Sequence, residues 1–258
     1  VQENLQDDFD LICKWFDINK MYIRPQKTMV MSFGSKRKLE NNRLSIKLNG
    51  KNLQCVETMK YLGVILDSQL TWSEHRKYIS TKISRSIGCI RRIKRLIPHK
   101  TLVNLYFALI LPHIDYCCTA WGNCSKTNLW KLQKLQSRFA RLILNKDYDT
   151  PQCTLLTTLN WQSVEQRLKY HYCLLAFKIT NVMAQTYLKS LINYRTFNYC
   201  TLFSLNALLD IQYPKTEFKK RSFSYKASTL FNKLPPSIQS TKSIQIFKRG
   251  CQLAKHLL

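Results

Sequence analysis

Two adjacent carboxylates near the beginning of the chain, Asp7 and Asp8, are the side chains whose type best suits metal-dependent chemistry. Paired carboxylates can hold Mg²⁺ ions, which activate a hydroxyl group for attack on a phosphate. Leu5 and Phe9, however, begin a helical apolar pattern around this pair. Adjacent side chains of a helix point in different directions, and acidic residues in its first turn are stabilised by the helix dipole. We therefore predict no metal site at these residues.

A strand that ends in a glycine turn precedes a long basic helix. The segment Met59-Lys60-Tyr61-Leu62-Gly63-Val64-Ile65 has the composition of a strand, and Leu70-Thr71-Trp72 introduces the helix. Gly63 permits a tight turn and the close approach of another backbone, which favours a binding role for this turn. The alternative is a core strand with a bulge at the glycine.

Two predicted helices combine an apolar stripe with a basic face. Isoleucines recur at helical spacing from Ile79 to Ile97, and leucines and Phe139 do the same between 129 and 143. Few acidic residues lie between Arg76 and Lys100, which favours phosphate binding over a merely solvated face. The candidate phosphate-binding residues on these faces are Arg85, Arg92, Arg95, Lys131, Lys134 and Arg138.

The net charge of +26 comes from 41 basic and 15 acidic residues. It is not confined to a tail, because residues 1–150 hold 26 basic and 12 acidic residues and residues 151–258 hold 15 and 3. Such a sustained excess indicates a polyanionic partner, and nucleic acid is a better candidate than an anionic membrane surface. A basic protein without such a partner is the remaining alternative. The longest apolar run, Leu102–Leu111, is too short to cross a bilayer.

Ten cysteines occur without a Cys-x-x-Cys pair, and the five histidines are isolated from one another. Most of the cysteines lie in apolar segments, so we predict buried free thiols in a reducing compartment. One group, Cys117, Cys118 and Cys124 near His113, is the arrangement that comes closest to a metal cluster. No Ser-His-Asp arrangement or phosphate-binding glycine loop can be recognised.

The elements that must position these residues change in type along the chain. Residues 3–17 have helical periodicity, and strands are predicted at Met21–Ile23, Met29–Phe33 and Met59–Leu66. Asn49-Gly50 between two alternating segments, 44–48 and 53–56, predicts a β-hairpin. From Thr71 onward the pattern is mainly helical, with helices to Ile97, at 101–111 before Pro112, at 129–143, at 164–179, at 225–234 and at 243–258. Residues 190–222 are predicted as loop or short strand, and the fold class is α+β.

Several motifs occur in one order along nearly the whole chain. They are Leu5-Gln6-x-Asp8-Phe9-Asp10-x-Ile12-x-x-Trp15, Ile23-x-x-x-Lys27-Thr28-x-x-Met31-x-Phe33, Lys60-Tyr61-Leu62-Gly63-Val64, Leu70-Thr71-Trp72-x-x-His75, Leu105-Tyr106-x-x-Leu109-Ile110-x-Pro112, Asp115-Tyr116-Cys117 and Phe231-Asn232-x-Leu234-Pro235. This order resembles the C-terminal part of the reverse transcriptase of a non-LTR, LINE-type retrotransposon of the jockey/CR1-like group. Arg24 and Phe231 depart from the family pattern, which usually has Asn and Trp there.

The resemblance implies a division into three parts. Residues 1–70 would be the C-terminal part of the polymerase palm, residues 71–150 a helical thumb, and residues 151–258 a C-terminal helical region. It further implies that Lys60, Tyr61, Leu62 and Gly63 form the primer grip and that Lys27 borders the pyrophosphate of the incoming nucleotide. The catalytic Asp-Asp hairpin of the family would lie just before Val1, so no catalytic residue is assigned within this chain.

The resulting hypothesis is a C-terminal reverse transcriptase fragment that binds the RNA–DNA template–primer hybrid. It would have no cofactor of its own, although the full-length polymerase would use Mg²⁺, and no polymerase activity alone. Its partners would be RNA and DNA, not a membrane, with polymerase and endonuclease regions upstream and an intracellular location in cytoplasm and nucleus. One alternative is a non-catalytic nucleic-acid-binding relic or co-opted protein derived from such an element. Another is a structural helical module whose charge serves solubility.

Overall fold

The computed structural model describes residues 2–41, 44–195 and 208–254. The chain divides into two compact units, Val1–His75 and Arg76–Leu258. In the described residues, long helices accompany three small sheets of two strands each, which confirms the predicted α+β class. The finer division into palm, thumb and C-terminal region, with boundaries at 70 and 150, stays a prediction.

The first unit contains two helices and six short strands among its described residues. They are α1 (Gln2–Ile18), a 3-10 turn (Pro25–Lys27), β1 (Met29–Val30), α2 (Lys36–Asn41), β2 (Lys47–Leu48), β3 (Lys51–Asn52), β4 (Gln54–Cys55), β5 (Thr58–Tyr61) and β6 (Val64–Asp67). The predicted first helix is confirmed, whereas α2 was not predicted. The small core of the unit consists of Ile46, Leu48 and Leu53, against which Phe9 and Cys13 of α1 pack.

The predicted Asn49-Gly50 hairpin is confirmed, with a ladder shorter than the pattern indicated. Strands β2 and β3 are antiparallel, and both turn residues have positive φ, 50° at Asn49 and 77° at Gly50. These angles are those of the tight turn that Asn-Gly favours. Strand β4 follows directly and pairs in parallel with β1.

Two predicted strands are wrong. Met21–Ile23 is not a strand, because the Met21 N–H donates to the Phe16 carbonyl (2.9 Å) and closes the end of α1 instead. Met59–Leu66 is not one strand but the hairpin β5–β6, in which Lys60 pairs with Ile65. Its turn consists of Leu62 (φ 43°) and Gly63 (φ 83°), which confirms the turn predicted at Gly63 and divides the predicted strand in two. The strand predicted at 29–33 is reduced to β1.

The segment that leads from β6 into the next helix is held by one buried carboxylate. The Asp67 side chain accepts the Thr71 N–H (2.8 Å) and the Trp72 N–H (2.7 Å). Leu70 and Trp72 both have positive φ, 50° and 63°, which is costly for side chains of this size. The Asp67 hydrogen bonds therefore stabilise a segment that its own backbone preferences disfavour.

The second unit is helical. Its elements begin with α3 (Ser73–Ile93), whose first turn precedes the unit boundary, a 3-10 turn (Lys94–Leu96), α4 (His99–Leu109), α5 (Leu111–Asp115), α6 (Cys118–Trp121) and α7 (Lys126–Leu144). They continue with α8 (Gln152–Thr158), α9 (Val164–Thr180), a 3-10 turn (Thr186–Leu191), α10 (Glu217–Lys220), α11 (Phe223–Asn232), α12 (Pro236–Gln239) and α13 (Ile244–Leu253). The prediction that Pro112 ends α4 is wrong, because α4 already ends at Leu109. Pro112 lies in the first turn of α5, where proline is tolerated.

The core of the second unit forms around α9, which packs against α5, α6, α7, α11 and α13. The isoleucine stripe of α3 is buried from Ile79 to Ile90, as its spacing predicted. Tyr106 of α4 stacks on Trp161 with ring centroids 3.6 Å apart, and Phe177 of α9 stacks on Phe247 of α13. Of the two helices that carry the basic faces, α7 packs directly against α4 and α9 of this core.

The predictions for the C-terminal part are confirmed only in places. The segment 190–222 contains an antiparallel bridge between Tyr194 and Leu209 and the short helix α10, while residues 196–207 lie outside the described residues. The helix predicted at 243–258 is α13, which ends at Leu253, and residues 255–258 also lie outside the described residues.

Candidate nucleic-acid interface

The 3-10 turn that follows α3 is joined to the C-terminal end of α7. The Lys94 ammonium donates to the Leu142 carbonyl oxygen (3.1 Å) and to the Asn145 side-chain oxygen. Both acceptors belong to the last turn and C-cap of α7, where backbone carbonyls lack helical partners and a cation is favoured. Lys94 therefore fixes the distance between two basic segments that are distant in sequence.

A groove of about 1200 Å³ opens around this junction. The charged side chains that line it are almost all basic: Arg91, Arg92, Lys94, Arg95, Lys134, Arg138, Arg141 and Lys146, with Asp147 as the one acidic member of the lining. A concave surface with one sign of charge concentrates the electrostatic field and attracts ligands of the opposite charge. The groove is thus suited to a polyanion.

The structure brings together four of the six candidate residues from the two basic faces, Arg92, Arg95, Lys134 and Arg138. Arg85 and Lys131 are exposed but do not line the groove. Arg85 precedes Arg92 by two helical turns, which places it roughly 10 Å nearer the beginning of α3. The two helical faces were predicted as a whole, and the groove uses only their C-terminal parts.

The candidate set omitted four basic residues that line the groove. Arg91 and Lys94 are neighbours of Arg92 and Arg95, so the density of charge at the end of α3 was a usable signal. Arg141 and Lys146 belong to the end of α7 and the loop after it. Nothing in their local sequence indicates that this loop faces the end of α3, because the Lys94 contact spans 48 residues.

The basic side chains of the groove fall into two groups by their partners. Arg141 is engaged, since it donates to the Thr150 carbonyl (3.0 Å) and lies over the Tyr148 ring. The side chains of Arg92, Arg95 and Arg138 are exposed and form no hydrogen bond or ion pair with any other described residue. Their planar guanidinium groups remain available for two-pronged hydrogen bonds to phosphate oxygens.

Trp130 is exposed, whereas Trp72, Trp121 and Trp161 are not. Trp72, Trp121 and Trp161 are buried, so core packing explains them. Trp130 on α7 is 56% exposed, and the Lys134 ammonium lies 3.5 Å from the centroid of its ring. An exposed aromatic ring beside a cation is the combination that single-stranded nucleic-acid sites use.

The candidates in the first unit lie at two other places. Lys27 is exposed at the end of the 3-10 turn, and its backbone N–H donates to the Arg24 carbonyl (3.0 Å). Lys60 and Tyr61 end β5, and Leu62 and Gly63 form the hairpin turn. Tyr61 is 58% and Leu62 73% exposed, so the turn presents apolar surface to solvent. The primer-grip role of these four residues stays a prediction.

The side chains that could bind a metal ion include the two adjacent carboxylates of α1. Asp7 and Asp8 are exposed on the first turns of α1, where the sequence placed them. No cluster of three or more His, Cys, Asp or Glu side chains with a metal-binding arrangement occurs in residues 2–41, 44–195 and 208–254. Burial raises the pKa of Cys118 to about 12 and that of Cys124 to about 11, so both are neutral thiols.

The cysteines are buried less often than predicted. Cys118, Cys124, Cys173 and Cys251 are buried free thiols, whereas Cys55, Cys89, Cys117 and Cys153 are exposed ones. The error arises because an apolar stretch of a helix has an outer side as well as an inner one. Cys89 illustrates this, because it lies between the buried residues Ile87 and Ile90 of α3 and still faces solvent.

An ion pair explains a motif that sequence reasoning had left without a role. Arg167 of α9 donates to both carboxylate oxygens of Asp115 at the end of α5, with distances of 2.9 Å and 2.6 Å, and His171 lies 3.1 Å from the same carboxylate. Burial alone would raise the pKa of Asp115, but the hydrogen bonds from Arg167 and His171 outweigh it and lower that pKa. The motif that begins at Asp115 therefore joins two helices of the core.

The known proteins to which this chain is similar all come from transposable elements. The chain is 28% identical over 173 residues, 65% of its length, to a probable RNA-directed DNA polymerase from transposon BS of Drosophila melanogaster, of which this covers 19%. It is 27% identical over 143 residues, 54% of its length, to the RNA-directed DNA polymerase from mobile element jockey of the same organism, of which this covers 15%. A Pol polyprotein from type-1 retrotransposable element R1 4 of Nasonia vitripennis is 30% identical over 81 residues, 30% of this chain and 21% of that relative.

This chain is related to the reverse transcriptases of non-LTR retrotransposons. The resemblance to the jockey group that the motifs indicated is thereby confirmed. The chain spans less than a third of the length of these reverse transcriptases. No family model and no solved structure matches it. Among the described residues, every helix is too short or too polar to cross a bilayer.

Proposed function

We propose that the groove at the ends of α3 and α7 binds the phosphate backbone of an RNA–DNA hybrid. The observation that carries this proposal is the lining of the groove, eight basic side chains and one acidic one. The relatives act, by their names, as RNA-directed DNA polymerases, and such enzymes hold a template–primer hybrid. In this view the second unit begins with the thumb of the polymerase.

Binding of this kind depends on counterion release. Each phosphate that a basic side chain neutralises releases condensed cations, so the binding constant falls with salt concentration. Arg92, Arg95 and Arg138 supply the contacts, while Lys94 and Arg141 keep the groove in place through their own bonds. Phosphate contacts position the hybrid without reading its sequence.

The first unit would contribute at its hairpin turn. We propose that Lys60, Tyr61, Leu62 and Gly63 contact the primer strand as a primer grip, supported by the exposure of Tyr61 and Leu62. Lys27 would lie on the pyrophosphate side. The described residues do not fit a two-Mg²⁺ polymerase centre, so no chemical step is assigned to them. Copying RNA into genomic DNA would place the protein in cytoplasm and nucleus, together with polymerase and endonuclease regions of the full-length protein.

The test compares two double charge reversals at equal net charge. Arg92→Glu with Arg95→Glu alters the groove, whereas Lys248→Glu with Arg249→Glu alters exposed residues of α13 that do not line it. Binding of an RNA–DNA hybrid is measured by fluorescence anisotropy between about 50 and 200 mM salt. The groove variant is expected to lose at least about tenfold in affinity and about two units of salt slope, and the α13 variant to keep both.

Each remaining outcome selects another account. Equal losses in both variants would show that net charge alone attracts the polyanion, as expected of a module whose charge serves solubility. A loss confined to the groove variant supports the groove as the binding site. The same result is expected of a working polymerase segment and of a non-catalytic relic or co-opted protein. Those two differ in Mg²⁺-dependent primer extension by the full-length protein, which only the former supports.

A further inference from the structure

A second cavity, of about 630 Å³, lies between α7, α9 and α11. Ligand pockets usually have volumes of roughly 300–1,000 Å³. Its apolar wall includes Leu129, Leu168 and Leu230, and basic side chains are present in addition. A cavity with an apolar interior and a cationic edge is suited to a ligand with a flat apolar part and an anionic part.

One polar group of this cavity lacks the hydrogen-bond partner that burial normally requires. Tyr172 lines the cavity at 2% exposure, and its hydroxyl forms no hydrogen bond with any other described residue. Buried tyrosine hydroxyls usually have a partner. Lys226 also lines the cavity, and its burial lowers the pKa of its ammonium group. A bound anion would favour the charged form of Lys226 and offset this cost.

The charge of the lining is complementary to phosphate. Lys126, Lys169, Lys220 and Lys226 line the cavity, and Glu165 is its acidic member. Glu165 is already paired with Lys169, whose ammonium lies 3.1 Å from it. Lys220 is paired with Glu217, which does not line the cavity. The surplus positive charge of the lining is therefore carried by Lys126 and Lys226.

The cavity is contiguous with the basic groove. Gln152 lines both. Trp130 lines the cavity, while Lys134, which lines the groove, lies over the Trp130 ring at 3.5 Å. A strand that leaves the groove past Lys134 would thus meet an exposed aromatic ring and then the cavity. Stacking on such a ring is how single-stranded nucleic acid is commonly held.

We propose that this cavity receives an unpaired terminal nucleotide of a strand whose duplex part lies in the groove. The base would occupy the apolar part beside Trp130, and the phosphate would contact Lys226. The Tyr172 hydroxyl would gain a hydrogen-bond partner on the ligand. The path of the strand rests on the proposed function, whereas the cavity and its chemistry do not.

The experiment compares a blunt RNA–DNA hybrid with hybrids that carry a two-nucleotide overhang, at the 3′ or the 5′ end. An overhang is expected to tighten binding by about tenfold, the contribution of a stacked base. A 2-aminopurine at the overhang reports entry, because its fluorescence changes when its stacking changes. The blunt hybrid measures the groove alone.

The variants separate the cavity from the groove. Lys226→Met removes the charge of the cavity, and Thr229→Trp fills it. Each variant is expected to abolish the overhang increment and to leave the affinity for the blunt hybrid unchanged. Tyr172→Phe removes only the hydroxyl and is expected to reduce the increment about threefold, as the loss of one neutral hydrogen bond would. Lys233→Met is the matched control, because Lys233 is exposed next to α11 and does not line the cavity.

The outcomes distinguish the two proposals. If wild-type protein binds blunt and overhanging hybrids equally, the cavity proposal is overturned while the groove proposal stands. The same holds if Lys226→Met and Lys233→Met lose the increment alike. If blunt-hybrid binding is itself independent of Arg92 and Arg95, the groove proposal fails. A 2-aminopurine signal that still responds to Thr229→Trp would then support the cavity by itself.

Discussion

The two units of the chain differ in how completely they bury their apolar residues. In the second, the stripes of α3 and α7 and the aromatic residues around α9 lie in one core. In the first, the buried apolar cluster has only three residues, with Val64 and Trp72 buried outside it, and large apolar side chains of α1 such as Leu11, Trp15 and Ile18 are exposed. Its strands contain two to four residues, so few backbone hydrogen bonds hold them.

This difference separates two ways of presenting a binding surface. The groove of the second unit is formed by ends of packed helices, and its shape is maintained by buried contacts and by Lys94. The hairpin turn of the first unit presents Tyr61 and Leu62 from a two-stranded ladder, and Leu62 has an unfavourable positive φ. The groove is therefore expected to exist before a ligand binds, and the hairpin to be the less stable element.

Hydrogen exchange of the full chain tests this contrast most broadly. Amides in the middle of α9, near Cys173 and Phe177, are expected to exchange at least on the order of 10³-fold more slowly than those of β5 and β6, after correction for intrinsic rates. The reason is that α9 opens only with the core, whereas a two-stranded hairpin can open locally. Similar protection in both would remove the distinction between the units.

The stability of the first unit is expected to fall in mild acid through His75. Its Nδ1 accepts the Ile65 N–H (3.2 Å), and burial lowers its pKa from 6.5 to about 4. Because the folded state favours the neutral ring, the full contribution is present above about pH 6.5 and is lost as the pH falls towards 4, up to about 3 kcal/mol.

The measurement for His75 is the protection of the Ile65 amide between pH 7.5 and 4.5. His75→Gln removes the titrating group and is expected to flatten this pH dependence. An unchanged pH profile in His75→Gln would assign the effect to other groups.

In the second unit, Asp115→Asn is expected to lower the free energy of unfolding by about 2 kcal/mol. The substitution leaves Arg167 without its carboxylate partner in a partly buried position, and hydrogen bonds to charged groups are of this strength. Urea denaturation measures the loss. Glu165→Gln is the control, because its ion pair with Lys169 is exposed and should contribute less than about 0.5 kcal/mol. Equal effects of both substitutions would contradict the assigned role.

The smallest effect concerns Gly88, which lies on α3 between Arg85 and Arg92. A Cβ added there would meet no atom within 4 Å, so Gly88→Ala should stabilise the helix by up to about 1 kcal/mol. If the hybrid backbone approaches α3 here, the same substitution should weaken hybrid binding several-fold. Gly50→Ala provides the opposite control, since its φ of 77° disfavours alanine. Unchanged hybrid affinity would place the hybrid away from Gly88.

The helices of the second unit could be predicted because their periodic stripes are long. Ile79, Ile83 and Ile87 recur at helical spacing over several turns, and the tertiary packing buries these same residues. The strands of the first unit are too short for an alternating apolar pattern to distinguish them from turns or helix ends. Met21 therefore looked like a strand residue although its N–H closes α1, and the segment 59–66 was predicted as one strand although Gly63 already indicated a turn within it.

The candidate site was predictable only in its components. The charge at the end of α3 and along α7 was visible, but its convergence depends on the contact between Lys94 and Leu142. The second cavity depends on α11, which begins 79 residues after the end of α7, and no local signal marks it. Similarly, nothing beside Trp130 in the sequence distinguishes its exposed ring from the buried rings of Trp121 and Trp161.

The most direct test of the groove is a lysine acylation footprint of the full chain with and without an RNA–DNA hybrid, read by mass spectrometry. Lys134 and Lys146 line the groove, whereas Lys189, Lys233 and Lys248 are exposed in the same unit and do not. The hybrid is expected to protect the two groove lysines at least about fivefold, as direct phosphate contacts would, and to leave the other three unchanged. Uniform protection of all five, or protection of the three alone, would contradict a hybrid-binding groove at the ends of α3 and α7.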